Sequence, residues 1–199
     1  MKTLAPLAAL ALLAGCATPA YVSPVEVTRF TGDSPASLAS GPIAVVAAPG
    51  TPVDSWEYSA FERAVADELT ELGYIVTGDM AQQVAEIRVQ RAVALAEGRR
   101  SPVNVGVGGG TGSYGSGVGV GVGINLGNLG GGRPAERIDT ELRVVIKPSG
   151  GINALWEGRA RFTATANSDY ADQRAAAGKL ARALFDGFPG RSGETIEVR

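Results

Sequence analysis

The segment Arg137-Ile138-Asp139-Thr140-Glu141-Leu142-Arg143-Val144-Val145-Ile146-Lys147 and its sequel Trp156-Glu157-Gly158-Arg159-Ala160-Arg161-Phe162-Thr163-Ala164 decide the fold. Apolar and polar residues alternate through both, the period of a half-buried strand. Ile138, Thr140, Leu142, Val144 and Ile146 share one face of the first; Trp156, Gly158, Ala160, Phe162 and Ala164 share one face of the second. Setting Lys147 opposite Asn153 leaves Pro148 to Ile152, with Gly150 and Gly151, as the hairpin loop. That register places Arg143 opposite Glu157, Glu141 opposite Arg159 and Asp139 opposite Arg161, while Val144 meets Trp156 and Ile138 meets Phe162. Opposite-charge matches at about 0.2–1 kcal/mol each favour it over slips by two. The charges are thereby explained as a solvated face.

Upstream, Ala85, Ile87, Val89, Arg91, Val93 and Leu95 alternate with Glu86, Arg88 and Gln90; Arg91 interrupts the apolar face and predicts a bulge or a sheet edge. Ile43-Ala44-Val45-Val46-Ala47, bounded by Pro42 and Pro49, reads as a buried strand. Asp54-Ser55-Trp56-Glu57 has capping-box spacing, and Tyr58, Phe61, Val65, Leu69 and Leu72 then recur as a helical stripe that Gly73 ends. Tyr74-Ile75-Val76 begins a further strand. Ser168 caps a last helix with Ala177, Leu180, Ala181, Leu184 and Phe188 on its apolar side, stopped by Gly187 and Pro189. The order strand, helix, several strands, helix predicts an α+β fold: a single antiparallel sheet with two helices packed on one face. The domain spans 43–189, followed by a polar tail, 190–199, in which Thr195 to Val198 can add an edge strand.

Residues 102–132 hold half of the 28 glycines. Val103, Val105 and Val107 alternate with small residues, as do Val118, Val120, Val122, Ile124 and Leu126, around a Gly, Thr and Ser loop at Tyr114. This is a long glycine-rich hairpin insertion, apolar on one side and bare on the other. Glycine costs a strand about 0.5–1 kcal/mol per residue relative to alanine and leaves register weakly specified. Two readings stay open: an insertion without chemistry of its own, or a bare surface approached by a backbone, a lipid or a glycan.

At the other end of the chain, Leu13-Ala14-Gly15-Cys16 follows an apolar run from Leu4 and a basic Lys2. The run is too short for a membrane span, which needs about 20 apolar residues. The box resembles the processing site of bacterial lipoproteins. The resemblance implies that residues 1–15 are a signal peptide and that Cys16 carries a diacylglyceryl thioether and an N-acyl chain, palmitate among its sources. Ala17 in place of Asp implies the outer membrane. Residues 16–42, rich in proline, then read as an acylated cysteine and flexible tether, with Val25 to Phe30 as a short strand in its middle.

From Cys16 on, 17 basic residues face 20 acidic ones, which argues against nucleic acid as a partner. Cys16 is the only cysteine, so the core holds without disulfides. There is no histidine, the commonest general base and metal ligand.

Ala85-Glu86-Ile87-Arg88-Val89, the glycine insertion, Leu155-Trp156-Glu157-Gly158 and Leu184-Phe185-Asp186-Gly187-Phe188-Pro189 together resemble the DUF4136 lipoprotein family, a domain of unknown function. The resemblance covers about residues 43 to 189 and implies no catalytic residues.

Gly110-Thr111-Gly112-Ser113-Tyr114-Gly115 matches G-x-G-x-x-G, yet the valine–glycine alternation after it opens no helix to face a pyrophosphate. No serine has a histidine to activate it, and no S-x-x-K, G-x-S-x-G or EF-hand spacing occurs. No catalytic residue, metal or cofactor is therefore assigned. Arg99, Arg100, Arg133 and Arg137 flank the glycine hairpin and, with Tyr114, form the candidate binding set for phosphate or carboxylate groups of lipid or cell wall; the alternative is a solvated basic rim. The expected function is a non-enzymatic, periplasm-facing envelope module that binds or scaffolds an envelope protein, lipid or glycan. The rivals are a carboxylate-based hydrolase of envelope polymers, which needs two carboxyls about 5–10 Å apart in a cleft, and a passive lipoprotein packed on the bilayer.

Overall fold

The computed structural model describes residues 19–32, 38–51, 56–94, 103–108, 119–124 and 136–199. In chain order its strands are β1 (Val25–Thr31), β2 (Pro42–Ala47), β3 (Ile75–Val76), β4 (Gln83–Ala94), β5 (Val103–Gly108), β6 (Gly119–Ile124), β7 (Arg137–Pro148), β8 (Trp156–Thr165) and β9 (Thr195–Val198). The helices are α1 (Trp56–Glu71) and α2 (Gln173–Phe185), the latter preceded by a 3-10 turn at Asp169–Ala171. The chain forms two units, one containing β5 and β6, the other made of residues 20–94 and 136–199.

The larger unit is a seven-stranded sheet in the order β3-β2-β4-β7-β8-β1-β9. It is mixed, which corrects the single antiparallel sheet expected from the element order. β2 runs parallel to both β3 and β4, and the other neighbours are antiparallel. The physical reason is α1: it carries the chain from the end of β2 back to its start, so the next strands enter in the same direction. β3 takes one flank of β2 for two residues, and Gln82 N then donates to Pro42 O as the chain starts β4 on the other flank.

Both helices cover one face. Phe61, Val65 and Leu69 of α1 and Ala177, Leu180, Ala181 and Leu184 of α2 are fully buried against the inward positions Val25, Val27, Ile43, Ile87, Leu142, Val144, Ile146 and Trp156. Each such large apolar side chain contributes about 1.5–3 kcal/mol. The Gly73 stop is as the sequence predicts: at φ +99, it lets Tyr74 N reach Leu69 O and its own N–H reach Thr70 O, which satisfies the last carbonyls of α1. Asp54 of the capping box lies outside the described residues.

Four local expectations change. The β7–β8 register is shifted by two: Ile146 faces Trp156, Val144 faces Gly158, Arg143 faces Arg159 and Glu141 faces Arg161. Two of the three expected ion pairs survive on the diagonal, Arg143 Nε to Glu157 Oε1 at 2.8 Å and Arg159 Nε to Glu141 Oε1 at 3.6 Å, because long side chains span diagonal neighbours; in place of the third, Arg161 pairs with Glu26. Arg91 makes no bulge: β4 and β7 pair without a break from Gln83 to Ala94, and the Arg91 guanidinium donates to Ala171 O. It does sit at an edge, since β2 pairs β4 only as far as Ile87. The cap of α2 is Asp172, whose Oδ1 accepts from Arg174 N at 2.9 Å and Ala175 N at 3.1 Å; Ser168 precedes only the 3-10 turn. Lastly, part of the stretch read as tether is built into the sheet. β1 lies between β8 and β9 with Val25 and Val27 buried, and Thr195–Val198 of the tail is its other neighbour.

In the smaller unit β5 and β6 pair antiparallel, Val105 opposite Val122 and Gly106 opposite Gly121. The connecting residues lie outside the described set.

Candidate functional site

The two segments with the most distinctive sequence pack on each other. Trp156 stacks on Phe185 at 5.5 Å between centroids and leans on Phe188 at 5.0 Å, while its Nε1 donates to Pro189 O at 2.9 Å. Beside them Arg29, 5 % exposed, donates from Nε to Leu184 O and from Nη2 to Ala183 O, both at 3.0 Å. It thus supplies donors to last-turn carbonyls of α2 that have no intrahelical partner. Burial lowers the Arg29 pKa, opposed by the charges of Asp186 and Glu194. These groups fasten α2 to the sheet. They are a structural lock and present no reactive group to solvent. Sequence reasoning missed Arg29 because it falls within the supposed tether; its signal was the inward position in Val25-x-Val27-x-Arg29.

A second cluster of features gathers at one end of the sheet. Tyr21 N donates to Thr165 Oγ1 at 2.9 Å and Thr165 N to Tyr21 O at 2.9 Å. Val22 bridges Ala164, and Ser23 N donates to Thr163 O at 2.9 Å. The chain is therefore fixed to β8 from Tyr21 on. Thr165 in turn faces Arg137, and Arg137 faces Ala94. The residues at which the glycine-rich segment leaves and returns thus sit on the same sheet end as the chain arriving from Cys16. Of the candidate residues, Arg137 is exposed at this end; Cys16, Arg99, Arg100, Tyr114 and Arg133 lie outside the described residues.

The face of the sheet opposite the helices carries a trough of about 700 Å³ near this end, lined by Tyr21, Glu26, Asp139, Glu141, Arg161 and Glu197 among others. Arg161 Nη2 donates to both oxygens of Glu26, at 2.8 and 2.9 Å, and Asp139 accepts from Thr163 Oγ1. Four carboxylates against two guanidiniums, those of Arg91 and Arg161, leave the open trough acidic on balance. It is suited to holding cationic or hydrogen-bonding groups. Among the described residues no set of three or more acidic, cysteine or histidine side chains is grouped to hold a metal ion.

No family model matches the chain. Over 65 residues it is 37% identical to an uncharacterized protein of Zymomonas mobilis subsp. mobilis, covering 33% of this chain and 24% of that protein. The chain thus matches about a quarter of that relative's length. Among solved structures, a PDZ domain protein from Parabacteroides distasonis aligns with 98% of this chain and 42% of its own at a TM-score of 0.51 and 14% identity, a likeness of fold alone. The PelC dodecamer from Paraburkholderia phytofirmans aligns with 84% of this chain and 99% of its own at a TM-score of 0.44 and 12% identity.

Proposed function

We propose that this chain is an outer-membrane lipoprotein, anchored through acylated Cys16 and facing the periplasm, which serves as a non-enzymatic binding or scaffolding module of the envelope and belongs with the DUF4136 lipoproteins. The observation that carries this reading is the pairing of Leu13-Ala14-Gly15-Cys16 with a domain that begins at Tyr21. Four residues, Ala17 to Ala20, separate Cys16 from Tyr21, a leash of about 17 Å at full extension. Such a leash keeps the Tyr21–Thr165–Arg137–Ala94 end at the membrane surface. The glycine-rich segment roots there, in reach of lipid and of other anchored proteins. Its partners are an envelope protein, lipid or glycan.

The test has two parts. A Cys16→Ser variant loses envelope fractionation, and labelled palmitate enters the parent but not the variant. In cells, photocrosslinkers at positions between 110 and 125 capture discrete envelope partners. An unlabelled parent chain that still fractionates with the envelope contradicts the anchor; a parent that crosslinks nothing contradicts the binding role.

A further inference from the structure

On the helical side of the molecule, α2 and β9 enclose a groove of about 330 Å³ whose described lining carries the side chains of Arg174, Lys179, Arg182 and Arg199 and no acidic side chain. Its floor is Val25, Gly178 and Val198. Lys179 Nζ stands 5.2 Å from the Tyr170 ring centroid, and Tyr170 is set edge-on to Phe162 at 5.9 Å, so this cation is held by a ring that is itself packed on the core. Arg174 and Arg182 also border the adjoining α1–α2 groove, where Asp67, Glu68 and Glu71 lie; Lys179 and Arg199 line the basic groove alone. Glu197, the acidic residue next to Val198, points to the opposite face, into the acidic trough.

The place of this groove in the fold gives it an occupant. Val25 in its floor lies four residues past Tyr21 and faces Val198, so the groove lies close to the end that the leash holds. Resting on the lipoprotein reading, we propose that this groove docks on the phosphate headgroups of anionic lipid in the leaflet that holds Cys16. The arrangement also orients the domain. Basic residues near an anionic surface are drawn to it, while Glu26, Asp139, Glu141 and Glu197 on the far face are repelled. The trough is thereby turned toward the periplasm, where it stays open to a partner.

The experiment uses the acylated chain on vesicles. Asp169 is exposed beside the groove without lining it, and acylation of Cys16 leaves Asp169→Cys as the one free thiol. That thiol carries a fluorophore, and the vesicles carry phosphatidylglycerol with a nitroxide on a fraction of headgroups. Strong headgroup quenching is expected. It falls about fivefold for each charge reversed in Arg174→Glu, Lys179→Glu and Arg199→Glu, and is likewise lost in about 0.5 M salt. All variants float with the vesicles and melt as the parent does. Floating chains whose quenching is absent, or is the same in parent and triple variant, overturn the docking while leaving the anchor intact. Chains that do not float overturn both.

Discussion

The indole of Trp156 lies along its own strand and fills the space that a side chain at position 158 needs. A Cβ on Gly158 falls 2.2 Å from Trp156 Cη2 and 2.8 Å from Leu184 Cδ1. Gly158→Ala must push the ring off its stack with Phe185 or displace α2. The expected loss is about 1–3 kcal/mol, read from urea unfolding. A variant as stable as the parent contradicts this account of the Trp-x-Gly strand.

Arg29 gives the second prediction. Arg29→Met keeps much of the volume but leaves Leu184 O and Ala183 O without their charged donor. A loss of about 2–4 kcal/mol is expected in the same assay. Arg29→Lys recovers only part of it, since an ammonium cannot reproduce the two-pronged guanidinium contact.

Stability should also fall in alkali. Burial, with the charge of Glu62 nearby, raises the Tyr58 hydroxyl to about 12, and burial raises that of Tyr74 as well. A folded-state pKa above the unfolded value means that the folded chain holds its proton longer. This contribution is fully present below about pH 10 and is lost as pH rises toward 12. Thermal melts across that window are expected to show a falling midpoint, less steep in Tyr58→Phe. A flat profile contradicts the assignment.

Because Ala94 and Arg137 face each other in register, the larger unit should not need the segment between them. Replacing residues 95–136 with Asn-Gly makes a two-residue hairpin of β4 and β7. The shortened chain is expected to unfold cooperatively with a midpoint within a few degrees of the parent. Failure to fold places the glycine-rich segment in the folding unit.

How much of this was legible in the sequence depends on the interaction involved. The α1 stripe and the Gly73 stop were readable because helical period and left-handed glycine are local properties. Strand direction was not: nothing in Ile43 to Ala47 says that both neighbours run parallel to it. The β7–β8 register was misjudged because Arg143 and Glu157 pair as well on the diagonal as face to face. The two registers differ in whether Trp156 faces Ile146 or Val144, and both are branched apolar residues on the inward face, so the apolar pattern does not separate them. β1 was half legible, its alternation plain but its membership in the sheet hidden among prolines. The gathering of Tyr21, Ala94, Arg137 and Thr165 at one sheet end comes from pairings far apart in the chain. The basic groove joins α2 to the last residue, Arg199, in the same way, and neither appears as a motif.

The leash from Cys16 to Tyr21 underlies both the anchoring and the docking. Mass spectrometry of the mature protein tests it most directly. The account predicts an amino-terminal peptide that starts at Cys16 and bears a diacylglyceryl group and a third acyl chain. An unmodified peptide running through Gly15 and Cys16 would contradict it.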